Sequence, residues 1–483
     1  MAITKNSTST SSLPIKSGPC FDDDDPRNPL NFSWIRKTHI EIAGILCTFN
    51  GALGSSLPSG AATYIREYFD VGSHTEIVLL NSLYLVGYAI GPLLFGPLSE
   101  YAGRRPVLVG AYIGYAMFTL GCALSPNYTA LLIFRLLCGL NVAAPNAVLA
   151  GLYADIHDDP RKRGRAMAIC MYVTIMGPLI GPILSGFISV VSWRWTFWLG
   201  LILAGVGLPV VLLLPETFAP VLLEKMEDWS EESEEPKEEL YRVQSTRSVK
   251  TLGVSLKTIF TRPFVMTVKE PILLFTSLYL ALVYGVFYLF FQAYPIVFQG
   301  IYGLSPGIAG LAFIPVMVGC TVGFVGFFGF ESYYVKAGQA SEAWTKIEEY
   351  RRLPLACAGA SPIVIALFWL GWSSFESVNP VLPMMSGVFF GAGYVLIFIG
   401  MLNYLTDFYK QDSASAQAAA ATIRAIAGVC LPLATTPMYD RLGVQWTCSL
   451  LGFLALAMVP IPFVFIKFRD SIRGRSSFSR TAR

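Results

Sequence analysis

Charged residues are scarce in this chain of 483 residues: Lys, Arg, Asp and Glu make up 14% of it, whereas hydrophobic residues make up 54%. A soluble domain carries about 25% charged residues. The few charges here leave apolar runs of about 20 residues, which is the length a helix needs to cross a roughly 30 Å hydrocarbon layer. The scarcity of charge therefore excludes an ordinary soluble protein and predicts a membrane protein.

Histidine is rarer still, because the chain has only His39, His74 and His157, all at predicted helix ends or in loops. The nine cysteines include no C-x-x-C pair, and they predict packing residues, neither a disulfide framework nor a metal site. There is no G-x-S-x-G sequence, phosphate-binding loop or filter-like repeat. We therefore expect no enzymatic activity, no cofactor, no metal, no nucleic-acid partner and neither channel nor ATP-driven pump function.

Twelve apolar runs are long enough to span a bilayer. They are apolar on every face, which excludes spanning strands, since those would alternate over about ten residues. The sequence therefore predicts an all-α membrane protein with twelve transmembrane helices. The predicted spans, numbered 1 to 12, are 39–60, 77–98, 106–125, 129–153, 166–190, 194–214, 270–292, 306–330, 355–372, 379–403, 414–436 and 445–467.

A faint internal repeat divides the chain into two six-helix halves. Gly139 precedes Asp155 by sixteen residues in span 4, and Gly391 precedes Asp407 by the same distance in span 10. Two repeated halves are typical of a transporter that rocks around a site near the middle of the membrane. The predicted domains are a disordered N-terminal tail 1–38, a first bundle 39–217, a polar linker 218–268, a second bundle 269–468 and a tail 469–483.

Lys and Arg concentrate in one set of loops, which the positive-inside rule assigns to the cytosol. That set includes the pair Arg104 and Arg105, whereas the opposite loops hold only Arg66, Arg194 and Arg441. Both termini are therefore predicted to be cytosolic.

The loop between spans 2 and 3 carries the most specific motif, Gly96-Pro-Leu-Ser-Glu100-Tyr-Ala-Gly103-Arg104-Arg105. The glycines allow a tight turn and close helix approach. Glu100 is expected to pair with Arg104 or with a basic residue after span 4, forming a latch that holds one state and opens in the other. The motif resembles the loop 2–3 signature of the major facilitator superfamily, which implies a twelve-helix transporter fold of two pseudo-symmetric halves.

Arg135 lies inside span 4, where a central arginine costs about 2.5–3.5 kcal/mol on insertion scales. Snorkelling to the interface is the simple alternative. Its context resembles the superfamily's Arg-x-x-x-Gly motif of span 4, which implies a role in proton coupling. Span 1 offers no carboxylate in mid-membrane to pair with it, and Asn50 is the obvious polar residue there.

Span 5 contains a glycine- and proline-rich run, in which the prolines bend the helix and the glycines permit close packing. It resembles a motif of the superfamily's antiporters that its symporters generally lack, which implies export; a packing kink alone is the alternative. The motif residues are Gly177, Pro178, Gly181, Pro182 and Gly186.

Substrate contacts are expected from polar and aromatic residues near the middle of the spans. Such side chains stack on flat organic molecules or attract cations through their rings, although each ring could also serve packing alone. Arg424 could attract an acidic substrate or carry coupling. The candidates are Asn50, Asn141, Asn146, Tyr284, Tyr288, Gln292, Tyr394 and Arg424.

Motifs at both ends of span 6, Trp193 to Trp198 and Leu214 to Thr217, resemble those of fungal twelve-span drug:proton antiporters. The resemblance implies a monomeric, proton-coupled exporter of drugs, toxins or secondary metabolites in the plasma membrane. The alternative function is a facilitator or proton symporter that imports a small nutrient such as a polyamine or vitamin. The glycine–proline motif of span 5 disfavours that alternative.

Overall fold

The computed structural model describes residue 21 and residues 25–223, 266–347, 349–409 and 413–469. Most of the predicted tails, and residues 224–265 of the predicted linker, lie outside these ranges. The described part of the chain is built from helices that are long and apolar enough to cross a membrane. The chain is therefore a multi-pass integral membrane protein.

The N-terminal half contains spans 1 to 6, preceded by a short 3-10 turn at Pro29–Asn31. Span 4 is divided at Ala143, because Pro145 has no N–H to donate to the carbonyl of Asn141. In order, the helices are Trp34–Tyr68, His74–Ala102, Arg104–Ala123, Tyr128–Val142 with Ala144–Ile156 as span 4, Pro160–Ile188 and Trp193–Leu212.

The C-terminal half contains spans 7 to 12. The helices are Pro271–Tyr294 with the π-helical Pro295–Ile301 as span 7, Pro306–Gly310 with Phe313–Gln339 as span 8, Glu349–Ser373, Val381–Tyr409, Ser413–Met458 and Pro460–Lys467. A 3-10 turn, Ala343–Lys346, precedes span 9. Ser413–Met458 is two spans joined at Gly443, whose φ of 72° is a turn conformation open to glycine.

The prediction of an all-α protein with twelve spans is confirmed, since the described ranges contain eleven long apolar helical runs and the last divides at Gly443. Several helices are longer than predicted: span 1 runs from Trp34 to Tyr68, against a predicted 39–60. The hydrophobic pattern detects only the part of a helix that lies in hydrocarbon, whereas backbone hydrogen bonding continues into the polar boundary layer.

The pairing of the spans repeats between the halves. Span 1 packs on span 5 as span 7 packs on span 11, and span 3 packs on spans 4 and 6 as span 9 packs on spans 10 and 12. The halves meet where span 2 contacts span 11 and where span 5 contacts span 8. Span 8 is the counterpart of span 2 in the second half, and span 5 is the counterpart of span 11 in the first. The two contacts are therefore equivalent, and the faint sequence repeat corresponds to a pseudo-twofold arrangement of the halves.

Because the number of spans is even, both tails leave the bundle on one side. We call it the tail side; it carries residues 34 and 467. The opposite side, which carries residues 68 and 306, is the far side.

Candidate transport site and gating contacts

Arg135 is 3% exposed and lies inside the N-terminal half. Its guanidinium donates to three backbone carbonyls: Leu80 at 2.9 Å, Gly54 at 2.7 Å and Ser55 at 3.0 Å. The carbonyl of Gly54 needs a donor, because the residue four positions later is Pro58, which has no N–H. Arg135 therefore supplies the hydrogen bond that span 1 cannot make for itself.

This arrangement answers how a buried arginine is held without a carboxylate. The guanidinium also lies 4.3 Å from the ring centroid of Tyr84, which adds a cation–π contact. Burial of the side chain rules out the snorkelling alternative in this structure. Arginine suits the site better than lysine, since its planar fork reaches several acceptors at once.

One residue of this network reaches the other half. The Ser55 hydroxyl donates to the carbonyl of Ala52 at 2.7 Å and lies 3.3 Å from the hydroxyl of Tyr288 on span 7. Since the Ser55 proton is already committed, Tyr288 is the donor across the gap. Arg135 is thus linked through Ser55 to a residue of the C-terminal half.

The glycine–proline motif of span 5 packs against span 1. Pro182 has no N–H for the carbonyl of Pro178, and the Ser56 hydroxyl donates to that carbonyl at 2.6 Å. A Cβ on Gly181 would lie 2.1 Å from the Ser56 Oγ, and one on Gly177 would lie 2.7 Å from the Ala52 Cβ. The two backbones therefore approach more closely than any larger residue would permit.

The same motif continues into a contact between the halves on the far side. A Cβ on Gly186 would lie 2.6 Å from the Pro306 carbonyl oxygen of span 8, and one on Gly310 would lie 2.8 Å from that of Pro182. Nearer the tail side, the hydroxyls of Tyr172 and Thr321 lie 2.8 Å apart. Span 5 thus contacts two neighbours. Span 1 donates the Ser56 hydroxyl to it, and span 8 packs closely against its backbone.

The loop 2–3 motif forms a charge cluster on the tail side. The Arg104 side chain contacts Asp155 at 3.5 Å and Ser99 at 2.8 Å, and its guanidinium lies 4.7 Å from the Phe218 ring centroid. The Glu216 carboxylate accepts the backbone N–H groups of Arg104 and of Arg105, at 2.9 and 3.2 Å, and so caps the N-terminus of span 3.

Glu100 is exposed, and the predicted pair between Glu100 and Arg104 is not formed in this structure. The Arg104 side chain pairs with Asp155 instead, and its backbone N–H donates to Glu216. Arg105 is exposed and donates to the Leu212 carbonyl at 3.3 Å. Gly103 has a φ of 96° and leaves room for the Glu216 carboxylate, whereas Gly96 has open space around it.

A second charge cluster occupies the matching place in the C-terminal half. Arg352 contacts Asp407 at 2.9 Å and Glu331 at 3.3 Å, and Arg351 contacts Glu331 at 3.0 Å. Asp407 corresponds to Asp155 in the sequence repeat. Each aspartate that lies sixteen residues after a glycine in the sequence repeat therefore pairs with an arginine of its own charge cluster.

Two predicted cavity residues face the interior of the N-terminal half instead. Asn50 is 2% exposed and donates to the Tyr112 hydroxyl of span 3 at 2.7 Å. Asn141 donates to its own helix at the Leu137 carbonyl, and its amide lies against Gly114 of span 3. A cavity role for both residues stays a prediction; in this structure each polar side chain satisfies its own or a neighbouring helix.

The other cavity candidates lie on spans 4, 7, 10 and 11. Tyr284 lies 4.9 Å from Tyr288 and 6.3 Å from Phe398, between ring centroids, and Tyr394 stacks on Phe398 at 5.3 Å. The Asn146 amide donates to the Tyr88 hydroxyl. Gln292 is half-buried one turn beyond Tyr288 on span 7. Arg424 lies 5.0 Å from the Phe398 ring centroid.

Sequence reasoning missed five contributors: Tyr84, Ser55, Ser56, Glu216 and Phe398. For one of them, Ser56, a signal was present, because each proline frees the carbonyl four residues earlier. Pro58 and Pro182 therefore mark acceptors that need donors from a neighbour. Which neighbour supplies the donor depends on the packing of the spans. The groups of His, Cys, Asp and Glu within the described ranges include none able to hold a metal ion.

Together the fold and the site define a transporter of the twelve-span, two-half class. The chain matches the Major Facilitator Superfamily over residues 44–432, more than half of its length. It belongs to that family.

Fungal transporters are similar to this chain along nearly its whole length. The MFS-type transporter paaT of Penicillium rubens is 36% identical over 467 residues, covering 95% of this chain and 83% of that protein. Efflux pump FUBT of Fusarium oxysporum is 36% identical, with 96% and 77% covered. The multidrug transporter mdrA of Aspergillus fumigatus is also 36% identical, with 95% and 75% covered.

Among solved structures, the xylose transporter XylE from E. coli, in a partially occluded inward open conformation, superposes with a TM-score of 0.63. The identity is 18%, and the match covers 90% of this chain and 98% of that chain. The two proteins share the fold.

Proposed function

We propose that the protein exports small organic molecules, such as drugs, toxins or secondary metabolites, in exchange for protons by alternating access. The halves would rock about the facing surfaces of spans 2, 5, 8 and 11. Proton and substrate would favour opposite states, since only a difference in affinity between states can drive the cycle.

The direction of transport is supported by similarity. Relatives named as an efflux pump and a multidrug transporter are 36% identical to the chain over at least 95% of it. The observation that carries the proposal is the seam between spans 5 and 1, where Ser56 donates to the carbonyl that Pro182 leaves free. A seam packed this closely opposes proton leak through the N-terminal half while the site changes sides.

Arg135 is proposed to couple the two halves. Its bonds to Gly54 and Ser55 hold the turn of span 1 that precedes Pro58, and Ser55 is the residue that Tyr288 contacts from span 7. A change in protonation or occupancy at the facing surfaces would be transmitted to span 1 through this short path.

We place the protein in the plasma membrane as a monomer, with the tail side in the cytosol, and we assign it no enzymatic activity. The excess of Lys and Arg on the tail side supports the orientation. Antibody access to epitope tags at the two termini, before and after permeabilisation, tests the orientation.

The test is loss of fluorescent dyes and toxic compounds from yeast that lacks its own exporters and expresses this chain. We expect export that stops when a protonophore collapses the proton gradient. Arg135→Ala should abolish it, and Arg135→Lys should reduce it at least about tenfold, because the donors of a single ammonium nitrogen cannot reach three carbonyls that three separate guanidinium nitrogens contact.

The matched control is Arg36→Ala, which removes an exposed arginine near the start of span 1. It should export like the parent at equal surface expression. Faster accumulation of compounds in expressing cells would overturn the proposal in favour of import, and export that is indifferent to the protonophore would overturn the coupling to protons.

A further inference from the structure

Arg424 is a half-buried cation that no carboxylate pairs with in the described part of the chain. It lies on span 11, where that span faces span 2 of the other half. Its Nη1 atom is shielded from solvent and has no hydrogen-bond partner. None of the ion pairs found in the described part of the chain involves this arginine.

The surroundings of Arg424 are aromatic. Its guanidinium lies 5.0 Å from the ring centroid of Phe398, and its electrostatic neighbours are the phenols of Tyr88, Tyr284 and Tyr394. These residues come from spans 2, 7 and 10. We call this set of five side chains the aromatic chamber; it draws on both halves.

The contrast with Arg135 is what makes Arg424 informative. Arg135 is fully buried, and carbonyls of its own half accept three hydrogen bonds from its guanidinium. The chain provides Arg424 with aromatic ring faces, which attract the positive charge but accept no conventional hydrogen bond. A polar group that is shielded from water and has no hydrogen-bond partner is unfavourable, so an acceptor that enters the site would stabilise the shielded Nη1.

The shape of the chamber indicates what else the occupant needs. Phe390, Tyr394 and Phe398 follow one another at intervals of four residues on span 10, with interplanar angles of 29° and 16° between neighbours. Tyr284 stacks on Phe398 at an interplanar angle of 21°. A row of nearly parallel rings suits a flat, unsaturated molecule.

We infer that the aromatic chamber binds flat aromatic carboxylates, with the carboxylate on Arg424 and the ring system beside Tyr284, Tyr394 and Phe398. A carboxylate accepts two parallel bonds from a guanidinium and would use the unpartnered Nη1. Ring faces alone would also suit a cation, but the positive charge of Arg424 repels one. This inference rests on the proposed function and names the substrate class of the same site.

The test compares three ligands on one ring system: 2-naphthoate, its isosteric amide 2-naphthamide, and the cation 2-naphthylmethylammonium. Their affinities for the purified full-length protein are measured by calorimetry at neutral pH, where the acid is ionised. The parent should bind the naphthoate at least about tenfold more tightly than the amide and the ammonium least tightly. Arg424→Gln should remove that preference while leaving the affinity for the amide within about twofold.

Arg424→Lys keeps the charge but not the fork, so it should retain a weakened preference for the acid, and Arg36→Gln should behave like the parent. Equal binding of acid and amide by the parent, no binding of the acid, or an unchanged preference in Arg424→Gln would overturn the inference. Dye export from yeast is measured on the same variants. If Arg424→Gln still exports uncharged compounds, the proposed export function remains supported even where the binding results overturn the carboxylate inference.

Discussion

At the scale of single residues, the molecule is organised by backbone carbonyls that prolines leave without donors. Gly54 is served by Arg135 and Pro178 by Ser56, and in each case the donor comes from another span. In a membrane no water is available to take that role, so each donor has a direct structural value.

Ser56→Ala removes the hydroxyl that serves the Pro178 carbonyl. A buried acceptor left without a donor costs about 1–3 kcal/mol, so the melting temperature of the purified protein should fall. Ser386→Ala is the matched control, because the hydroxyl of Ser386 donates within its own helix to Pro383, whose carbonyl also has the amide of residue 387. Equal melting temperatures for the two variants would contradict the assigned role of Ser56.

At the scale of helices, two features position the site: the close seam between spans 1 and 5, and the capping of span 3 by Glu216. Both concern how the end or face of one helix is completed by another. The loop 2–3 motif is held both by the Glu216 cap and by the ion pair between Arg104 and Asp155.

Gly181→Ala should force spans 1 and 5 apart, since the new Cβ would lie 2.1 Å from the Ser56 Oγ and 3.2 Å from the Leu57 nitrogen. We expect at least about a tenfold loss of export, measured as protonophore-sensitive dye efflux. Gly205→Ala in span 6 is the control, because nothing lies within 4 Å of the added atom. That variant should be as stable as the parent or gain up to about 1 kcal/mol.

Glu216→Gln removes the negative charge from the N-terminus of span 3, where a carboxylate stabilises the helix dipole by about 0.3–1 kcal/mol or more when partly buried. The melting temperature should fall. Glu100→Gln, which changes an exposed carboxylate two residues before the end of span 2, should leave the melting temperature unchanged. If Glu100→Gln lowers export without lowering stability, the predicted ion pair of Glu100 would form in the other state of the transport cycle, not in the one described here.

At the scale of the whole molecule, the halves touch through contacts that a rocking motion must break. Residues of span 5, Pro182 and Gly186, lie against the first turns of span 8 on the far side. The far side is therefore closed in this structure where spans 5 and 8 meet, and export requires that these backbones separate.

A cross-link should trap this state. In Phe187→Cys/Gly307→Cys the two positions face each other, because a Cβ on residue 307 would lie 3.1 Å from the Phe187 Cγ, and the substitution at 187 removes the ring that this Cβ would meet. The background carries Cys430→Ser, since Cys430 is an exposed cysteine. Oxidant should stop export and reductant should restore it, whereas each single variant should ignore both. Export that continues after full cross-linking would contradict the need for separation.

The number and order of the spans were determined by the sequence, because crossing a bilayer depends on a local property, the apolar length of about 20 residues. The pairing of Gly139 with Asp155 and of Gly391 with Asp407 likewise revealed the repeat. Arg135 was recognised as costly from its position alone.

The partners of these residues were decided by the tertiary structure. Asn50 and Arg424 are both polar residues in mid-span, yet Asn50 donates to Tyr112 inside one half, whereas Arg424 faces rings where the two halves meet. When a span is apolar on every face, its sequence does not indicate which face contacts lipid, which a neighbouring helix and which the cavity. That choice follows from the packing of twelve helices against one another, and it separates the residues that hold the bundle together from those that are free to bind.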